Sequence, residues 1–299
     1  LKVDASTTLA FLVSKENFNF KENTMENPYV ISAELDLAGN NLDQKIKQES
    51  IETFRENLDA DLRAMGKDTL WVPSSTIKAG LEKAVANTNL PVVSLDHRYV
   101  SSGDYYLGIS RGVNALLNDN GYASRLSYPS IQNQLRGAST LGGEIVLFDD
   151  VLFSGEMVSW LSDSFKSYGV RVGAVIVGIA IREGIEKLEA EGIRVEATEI
   201  FEEVEDEICE RDFAVVPGSG RRIDSLNSSA LYFDRDYGKP VSWASLTEDS
   251  VEDFCVNSIE RSMDLLRPDT PMTALGNFFG YGTKGTAVDQ LQLRLRSLS

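Results

Sequence analysis

Histidine occurs once in the 299 residues, at His97, and cysteine twice, at Cys209 and Cys255. A zinc centre of the usual cysteine and histidine type therefore lacks ligands, and neither cysteine belongs to a CxxC pair. Two thiols also cannot staple a small secreted scaffold. Long apolar runs are missing as well. The best candidate, from Val170 to Ile181, is interrupted by Arg171, Gly173 and Gly178 and falls short of the roughly 18 residues a membrane helix needs. Positive charge is scarce: 29 lysines and arginines face 46 aspartates and glutamates, a net charge of −17. Such a surface repels phosphate backbones and anionic lipid, so general nucleic-acid binding and membrane attachment are not expected, while a local basic pocket stays open. The first residues carry no basic stretch followed by an apolar block and a small-residue cleavage site, and a cytoplasmic protein is the plain expectation.

What is present is an ordinary globular balance, 42% apolar and 25% charged, enough to bury a core. At roughly 150 residues per domain the length allows one large domain or two. Thr7 to Val13 and Tyr29 to Leu37 read as strands, with Gly39-Asn40-Asn41 as a turn. From Leu42 the residues Ile46, Ile51, Phe54, Leu58, Leu62 and Met65 recur at helical spacing, and Gly66 suits the stop. Thr69 to Val72, then Pro73-Ser74-Ser75-Thr76, a helix running to about Ala86, and Val92 to Leu95 form a strand–helix–strand unit, the signature of parallel sheet. Between 97 and 142 the pattern weakens: Tyr105 to Ile109 reads as a strand, Val113 to Leu117 as a short helix, and Tyr128 to Ser139 as loop. Val172 to Ile181 is apolar enough to be a central strand buried on both faces. A helix through Ile185 and Leu188, strands at Ile193 to Ala197 and Phe213 to Val216, and a helix from Glu248 to Leu266 follow. Eight acidic residues between Glu196 and Glu210 read as a solvated face.

The segment that carries chemistry is Gly143-Glu-Ile-Val-Leu-Phe-Asp149-Asp150-Val-Leu-Phe153-Ser154-Gly155-Glu156-Met157. An apolar strand delivers two adjacent carboxylates, and a tight turn leads straight into a helix with Met157, Leu161, Phe165 and Tyr168 on its apolar side. The free N–H groups of a helix start, with the Ser154 hydroxyl, make a phosphate cradle. The paired acids beside it suit sugar hydroxyls or a bridging magnesium ion. A sugar diol next to a phosphate describes a ribose 5-phosphate, held where open α/β sheets bind ligands.

This segment resembles the phosphoribosyl-binding motif of the type I phosphoribosyltransferases, with Ser154 in place of the usual threonine and Glu156 and Met157 where glycine or lysine, then threonine, are common. The resemblance implies a three-layer α/β/α fold with a mostly parallel sheet over about 67–216. Residues 1–66 would form an N-terminal extension of strands and a long helix, and 217–299 a C-terminal extension, one of them a hood or lid. It implies that Asp149 and Asp150 are the catalytic and metal-ligating acids that grip ribose and Mg2+, that Phe153, Ser154, Gly155, Glu156 and Met157 wrap the 5-phosphate, and that the donor is phosphoribosyl pyrophosphate (PRPP). Ser74, Ser75 and Thr76 stand where the family has a pyrophosphate loop, Arg98 where it has a basic residue, and Arg221 and Arg222 in a late segment that holds pyrophosphate. A homodimer is a further expectation from the resemblance.

Each feature has a plainer reading. The acid pair could be a strand exit with capping potential, with Glu156 simply meeting the helix dipole. Ser74 to Thr76 could cap the next helix, His97 could be an ordinary loop histidine, and Arg221 and Arg222 could pair with the acidic run. Tyr232, Phe233 and Trp243 read as core or lid packing, or as a base-stacking wall. The leading expectation is a magnesium-dependent transferase that moves the phosphoribosyl group to an unidentified acceptor and releases pyrophosphate. The alternatives are a non-catalytic nucleotide or phosphosugar sensor on the same fold, or an enzyme acting on another phosphosugar.

Overall fold

The computed structural model describes residues 26–38, 46–96, 98–99, 103–125, 127–223, 226, 228–271 and 285–298. The expected strand at Thr7 to Val13, the turn at Gly39 to Asn41, the helix start at Leu42, and His97 lie outside the described residues. The chain begins with β1 (Tyr29–Ala33), α1 (Leu35–Ala38), α2 (Gln48–Ala64), β2 (Thr69–Pro73), α3 (Ser74–Asn87), β3 (Val92–Ser94) and β4 (Tyr105–Tyr106). It continues through β5 (Ile109–Val113), β6 (Asp119–Ser124), α4 (Ile131–Ala138), β7 (Glu144–Leu152), α5 (Glu156–Lys166), β8 (Arg171–Ile181), α6 (Arg182–Ala190) and β9 (Arg194–Phe201). The last elements are β10 (Asp206–Cys209), β11 (Arg221–Ile223), β12 (Ser228–Ala230), α7 (Pro240–Trp243), α8 (Val251–Leu265) and α9 (Ala287–Leu298).

Three sheets result. The largest is five-stranded in the order β4-β3-β7-β8-β9, parallel throughout. A second, β10-β1-β2, is also parallel, with Tyr29 facing both Asp206 and Thr69. The third, β12-β11-β5-β6, is mixed. The architecture is α/β with mostly parallel sheets.

The large sheet is buried on both faces, as its continuous apolar strands require. On one face Leu135 of α4, Leu161 and Phe165 of α5 and Leu188 of α6 pack over Ile145, Leu147 and Val175. On the other, Ile77 and Leu81 of α3 meet Val146, Phe148 and Ile176, together with Val30 and Val72 of the smaller parallel sheet. Gly178 is what lets α3 lie so close: a Cβ there would fall 2.3 Å from Ile77 Cγ2. A separate cluster joins Ile51, Phe54, Leu58 and Leu62 on one stripe of α2 to Phe254 and Ile259 of α8 and to Phe213. Each such side chain contributes roughly 1.5–3 kcal/mol on burial. Gly66 stops α2 at φ +80°, with Lys67 N–H reaching Leu62 C=O at 3.0 Å.

The structure departs from the sequence expectations at several places, the first being the expected strand Tyr29 to Leu37, which ends at Ala33 and gives way to α1. The strands at Thr69 and Val92 do not share a sheet: β2 pairs with β1, and β3 with β4 and β7. The expected helix from Val113 to Leu117 is the turn of the β5–β6 hairpin, because the Asn114 side chain accepts the amides of Leu116 (2.9 Å) and Asn118 (3.1 Å) and Leu117 takes φ +59°. The expected loop at Tyr128 to Ser139 holds α4, whose buried face includes a polar residue, Gln134, bonded to both backbone groups of Gly108. Phe213 to Val216 is fully buried but joins no ladder, following instead a 3-10 turn at Glu210–Phe213. The acidic run is not all solvated. Glu210 is fully buried, where it accepts the amides of Glu34 (2.8 Å) and Leu35 (3.0 Å) and both arms of Arg55 (2.7 and 2.9 Å).

Candidate functional site

Strand β7 alternates its first apolar residues between the two cores, then carries the acid pair onward. The ladder with β8 does not stop at Phe148 but continues through Asp149 opposite Val177 to Leu152 opposite Ala180. Both acids are therefore held in regular strand, and both are nearly buried. Asp149 Oδ1 accepts the amide of Asp150 (3.0 Å), and Asp150 Oδ1 that of Val151 (2.9 Å). Asp150 Oδ2 faces Arg211 Nη2 at 3.4 Å and the Cys209 thiol at 3.8 Å.

These surroundings split the pair electrostatically. Burial, and then the charge of Asp150, push the Asp149 carboxyl well above the usual carboxylate range. Burial acts upward on Asp150 too, but Arg211, a hydrogen bond from Asp149, and the charges of Arg125 and Arg98 outweigh it and hold that carboxyl below its usual value. The pair is thus biased in opposite senses, Asp149 toward its neutral, donor form and Asp150 toward its charged, acceptor form, a suitable grip for a vicinal diol.

Beyond Leu152 the chain turns through Phe153, Ser154 and Gly155 into α5. Gly155 stands before the first helical residue at φ +75°, a left-handed conformation that glycine adopts without a Cβ penalty. Ser159 N–H, bonded to Gly155 C=O at 3.0 Å, closes the first helical turn. The amides of Glu156, Met157 and Val158 precede it and are the free donors of the helix start. Gly184 in the first turn of α6 seats this loop: a Cβ at that position would lie 2.2 Å from Phe153 O.

The loop and the acids open onto one cleft of about 430 Å³. Asp149, Asp150, Phe153, Ser154, Gly155, Glu156, Met157 and Arg221 all line it. Other expected residues sit elsewhere. Arg98 lies behind the floor, its Nη1 on Glu34 Oε2 at 3.3 Å and its Nη2 on Pro217 O at 2.9 Å. Ser74, Ser75 and Thr76 begin α3 and do not line the cleft; Ser74 Oγ donates to Asp36 at 2.6 Å. Arg222, next to Arg221 on β11, reaches Ser228 O at 3.4 Å and is not a lining residue either.

The cleft also contains groups the sequence did not single out. Arg111, Arg125 and Arg211 add positive charge, while Glu205, Glu207 and Asp212 form an acidic wall. Arg211 carried no sequence signal beyond its place directly after the acidic run. On the far side, the Arg221 guanidinium lies 4.4 Å from the Trp243 ring centre and 5.3 Å from that of Tyr232. Those ring faces are already covered by a cation. Glu207 accepts from Ser32 Oγ at 3.0 Å, and burial followed by the charge of Asp150 pushes its carboxyl well above the usual range.

No protein-family model matches the sequence, and no curated protein does. Solved structures to which the chain is similar include two phosphoribosyltransferases and a UMP synthase. Orotate phosphoribosyltransferase from Aeropyrum pernix is 17% identical over 42% of this chain and 68% of that one, with a TM-score of 0.26. Adenine phosphoribosyltransferase from Thermoanaerobacter pseudethanolicus is 16% identical over 43% and 79%, with a TM-score of 0.29. UMP synthase from Leishmania donovani is 12% identical over 43% of this chain but only 27% of that one, with a TM-score of 0.27. At such scores the likeness decides neither activity nor substrate. Among the described residues, no helix is long and apolar enough to cross a membrane.

Proposed function

We propose that the cleft binds the phosphoribosyl group of PRPP and that the protein transfers it to an acceptor with release of pyrophosphate. The observation that carries this reading is the meeting, in one cleft, of the free amides at the start of α5 with a pair of adjacent, nearly buried acids. Asp149 and Asp150 would hold the ribose hydroxyls. The Ser154 hydroxyl and the amides through Val158 would hold the 5-phosphate. Arg221 would take the departing pyrophosphate, with Arg98 acting from behind through its field on Asp150. As pyrophosphate leaves, the anomeric carbon becomes oxocarbenium-like, and the residues contribute positioning and charge placed in advance of the reaction.

The donor set does not fit a resident magnesium ion. Both Asp150 oxygens already accept from Val151, Arg211 and Cys209, and the Asp149 carboxyl is pushed toward its neutral form. Magnesium in this reading arrives with the pyrophosphate as part of the substrate. A second reading, a phosphosugar sensor without turnover, is favoured by Glu156, a carboxylate in the first turn of α5 that lines the cleft.

Incubation with PRPP, magnesium and a panel of bases separates the two, because only a transferase releases pyrophosphate. Calorimetry with D149N/D150N tests the site itself: PRPP binding is expected to vanish, and unchanged binding removes the cleft from consideration. The homodimer is proposed on the family resemblance and is checked by sedimentation velocity.

A further inference from the structure

Three donor atoms converge at the base of the cleft, where Asp150 and Cys209 line it and Glu34 lies buried behind them: a carboxyl oxygen of Glu34, one of Asp150 and the Cys209 sulfur, all within 4.8 Å of one another. Two acids and a thiol so placed form a pocket for a divalent cation. The chain already fills that need from within. Arg211, its side chain 8% exposed, sends Nη1 to Glu34 Oε1 and Nη2 to Asp150 Oδ2 at 3.4 Å. Arg98 covers the second Glu34 oxygen at 3.3 Å, and the Val151 amide covers the second Asp150 oxygen at 2.9 Å. Every carboxyl oxygen of the two acids has a donor.

Arg211 is also fixed by its backbone. It belongs to the 3-10 turn at Glu210–Phe213, whose first residue, Glu210, accepts the Glu34 and Leu35 amides and two nitrogens of Arg55. Arg211 and Glu34 are thus tied by side chain and by backbone together. A guanidinium held this way is planar, permanently charged, and unable to exchange with solvent as a metal ion does.

We propose that Arg211 is the resident cation of the cleft floor, standing where Glu34, Asp150 and Cys209 would otherwise bind a divalent metal, so that phosphosugar binding in this cleft requires no metal of the protein's own. The second half rests on the phosphoribosyl reading above; the first does not.

Titration with Co2+ at about pH 8 tests the first half, since a cobalt–thiolate bond absorbs in the near ultraviolet. The wild-type protein is expected to show no such band. R211S should gain one bound Co2+ with the band, R211S/C209S should lose it, and R211K, which keeps a cation, should exclude the metal. A stoichiometric band in the wild-type protein overturns the proposal, as does a folded R211S that takes up no cobalt. The wild-type titration stands even if a variant does not fold. Calorimetry with ribose 5-phosphate tests the second half: affinities in EDTA and in Mg2+ should agree within about twofold, and binding tighter in Mg2+ by about tenfold, or 1.4 kcal/mol, overturns it. Absence of ribose 5-phosphate binding in both buffers sinks the phosphoribosyl reading instead, and the cobalt result still judges Arg211.

Discussion

Gly184→Ala adds one methyl group at the point where α6 supports the loop before α5. Its carbon would sit 2.2 Å from Phe153 O and 3.1 Å from Leu152 Cγ. An ordinary carbon–oxygen contact begins near about 3.3 Å, so the two segments must part by about 1 Å. The clashing atom is a backbone oxygen, which cannot rotate aside, and overpacking of this kind costs about 1–3 kcal/mol. The displaced carbonyl is followed immediately by Ser154 and Gly155. Because hydrogen bonds hold their strength only between about 2.7 and 3.2 Å, a shift of this size breaks at least one bond to phosphate. A charge-assisted bond is worth about 1.5–3 kcal/mol, so ribose 5-phosphate should bind about tenfold more weakly or worse. Gly80→Ala is the control. Its methyl would lie 2.1 Å from Thr198 Oγ1, between α3 and β9, among residues that do not line the cleft. It should destabilise the protein, by less than G184A because the clash is with a side chain, while leaving phosphate affinity within about twofold. Urea unfolding and calorimetry measure the two effects separately. If G184A binds ribose 5-phosphate as tightly as the parent, the loop is not the phosphate cradle.

Three other outcomes are expected. Glu156→Gln removes a negative charge from the mouth of the cradle and should strengthen phosphate binding by about 0.5–1 kcal/mol, seen by calorimetry as a few-fold gain that shrinks in salt. Glu34 has its carboxyl pushed up from 4.5 to about 7 by burial, against the pull of Arg211 and Arg98. The folded chain holds that proton longer than the unfolded one, so the contribution is complete below about pH 4.5 and is lost as pH rises through about 7, a change of about 3 kcal/mol at most. Urea midpoints measured across that window should fall with pH in the parent and fall less in E34Q; the slope should not vanish, because Asp149 and Glu207 are raised in the same sense. Arg294 holds Asp234 through two bonds of 2.9 and 2.6 Å with both side chains buried. R294L should cost roughly 3 kcal/mol, read as a lower urea midpoint at unchanged slope.

The sequence was most readable where one kind of neighbour surrounds an element. Val172 to Ile181 is apolar because helices cover both sides of β8, and the stripe from Ile51 to Leu62 is periodic because α2 has one wet face. Signals failed where polar groups are paired inside. Strand β7 seemed to end at its acids, since nothing local shows that Arg211, distant in sequence, compensates Asp150. Gln134 hid α4 in the same way, because its partners at Gly108 are themselves backbone groups. The segment proposed to bind phosphate was legible because its residues are contiguous, from Asp149 to Met157, and they do line one cleft. Arg111, Arg125 and Arg211 were not, because they come from separate strands and turns that only the fold unites, and nothing local showed that Arg221 would cover the rings of Tyr232 and Trp243.

The position of β1 has a kinetic consequence. It is the first described strand of the chain, yet it lies between β2 and β10 and finds its second neighbour only when Asp206 reaches Tyr29. Until then Glu34 has no Arg211 to meet, and the pocket beneath Asp150 has no base. A contact so remote along the chain forms slowly and late. During synthesis the loop between β7 and α5 would be finished well before the ground it stands on, and a nascent chain stopped before β10 would display the proposed phosphate-binding segment without the floor beneath it.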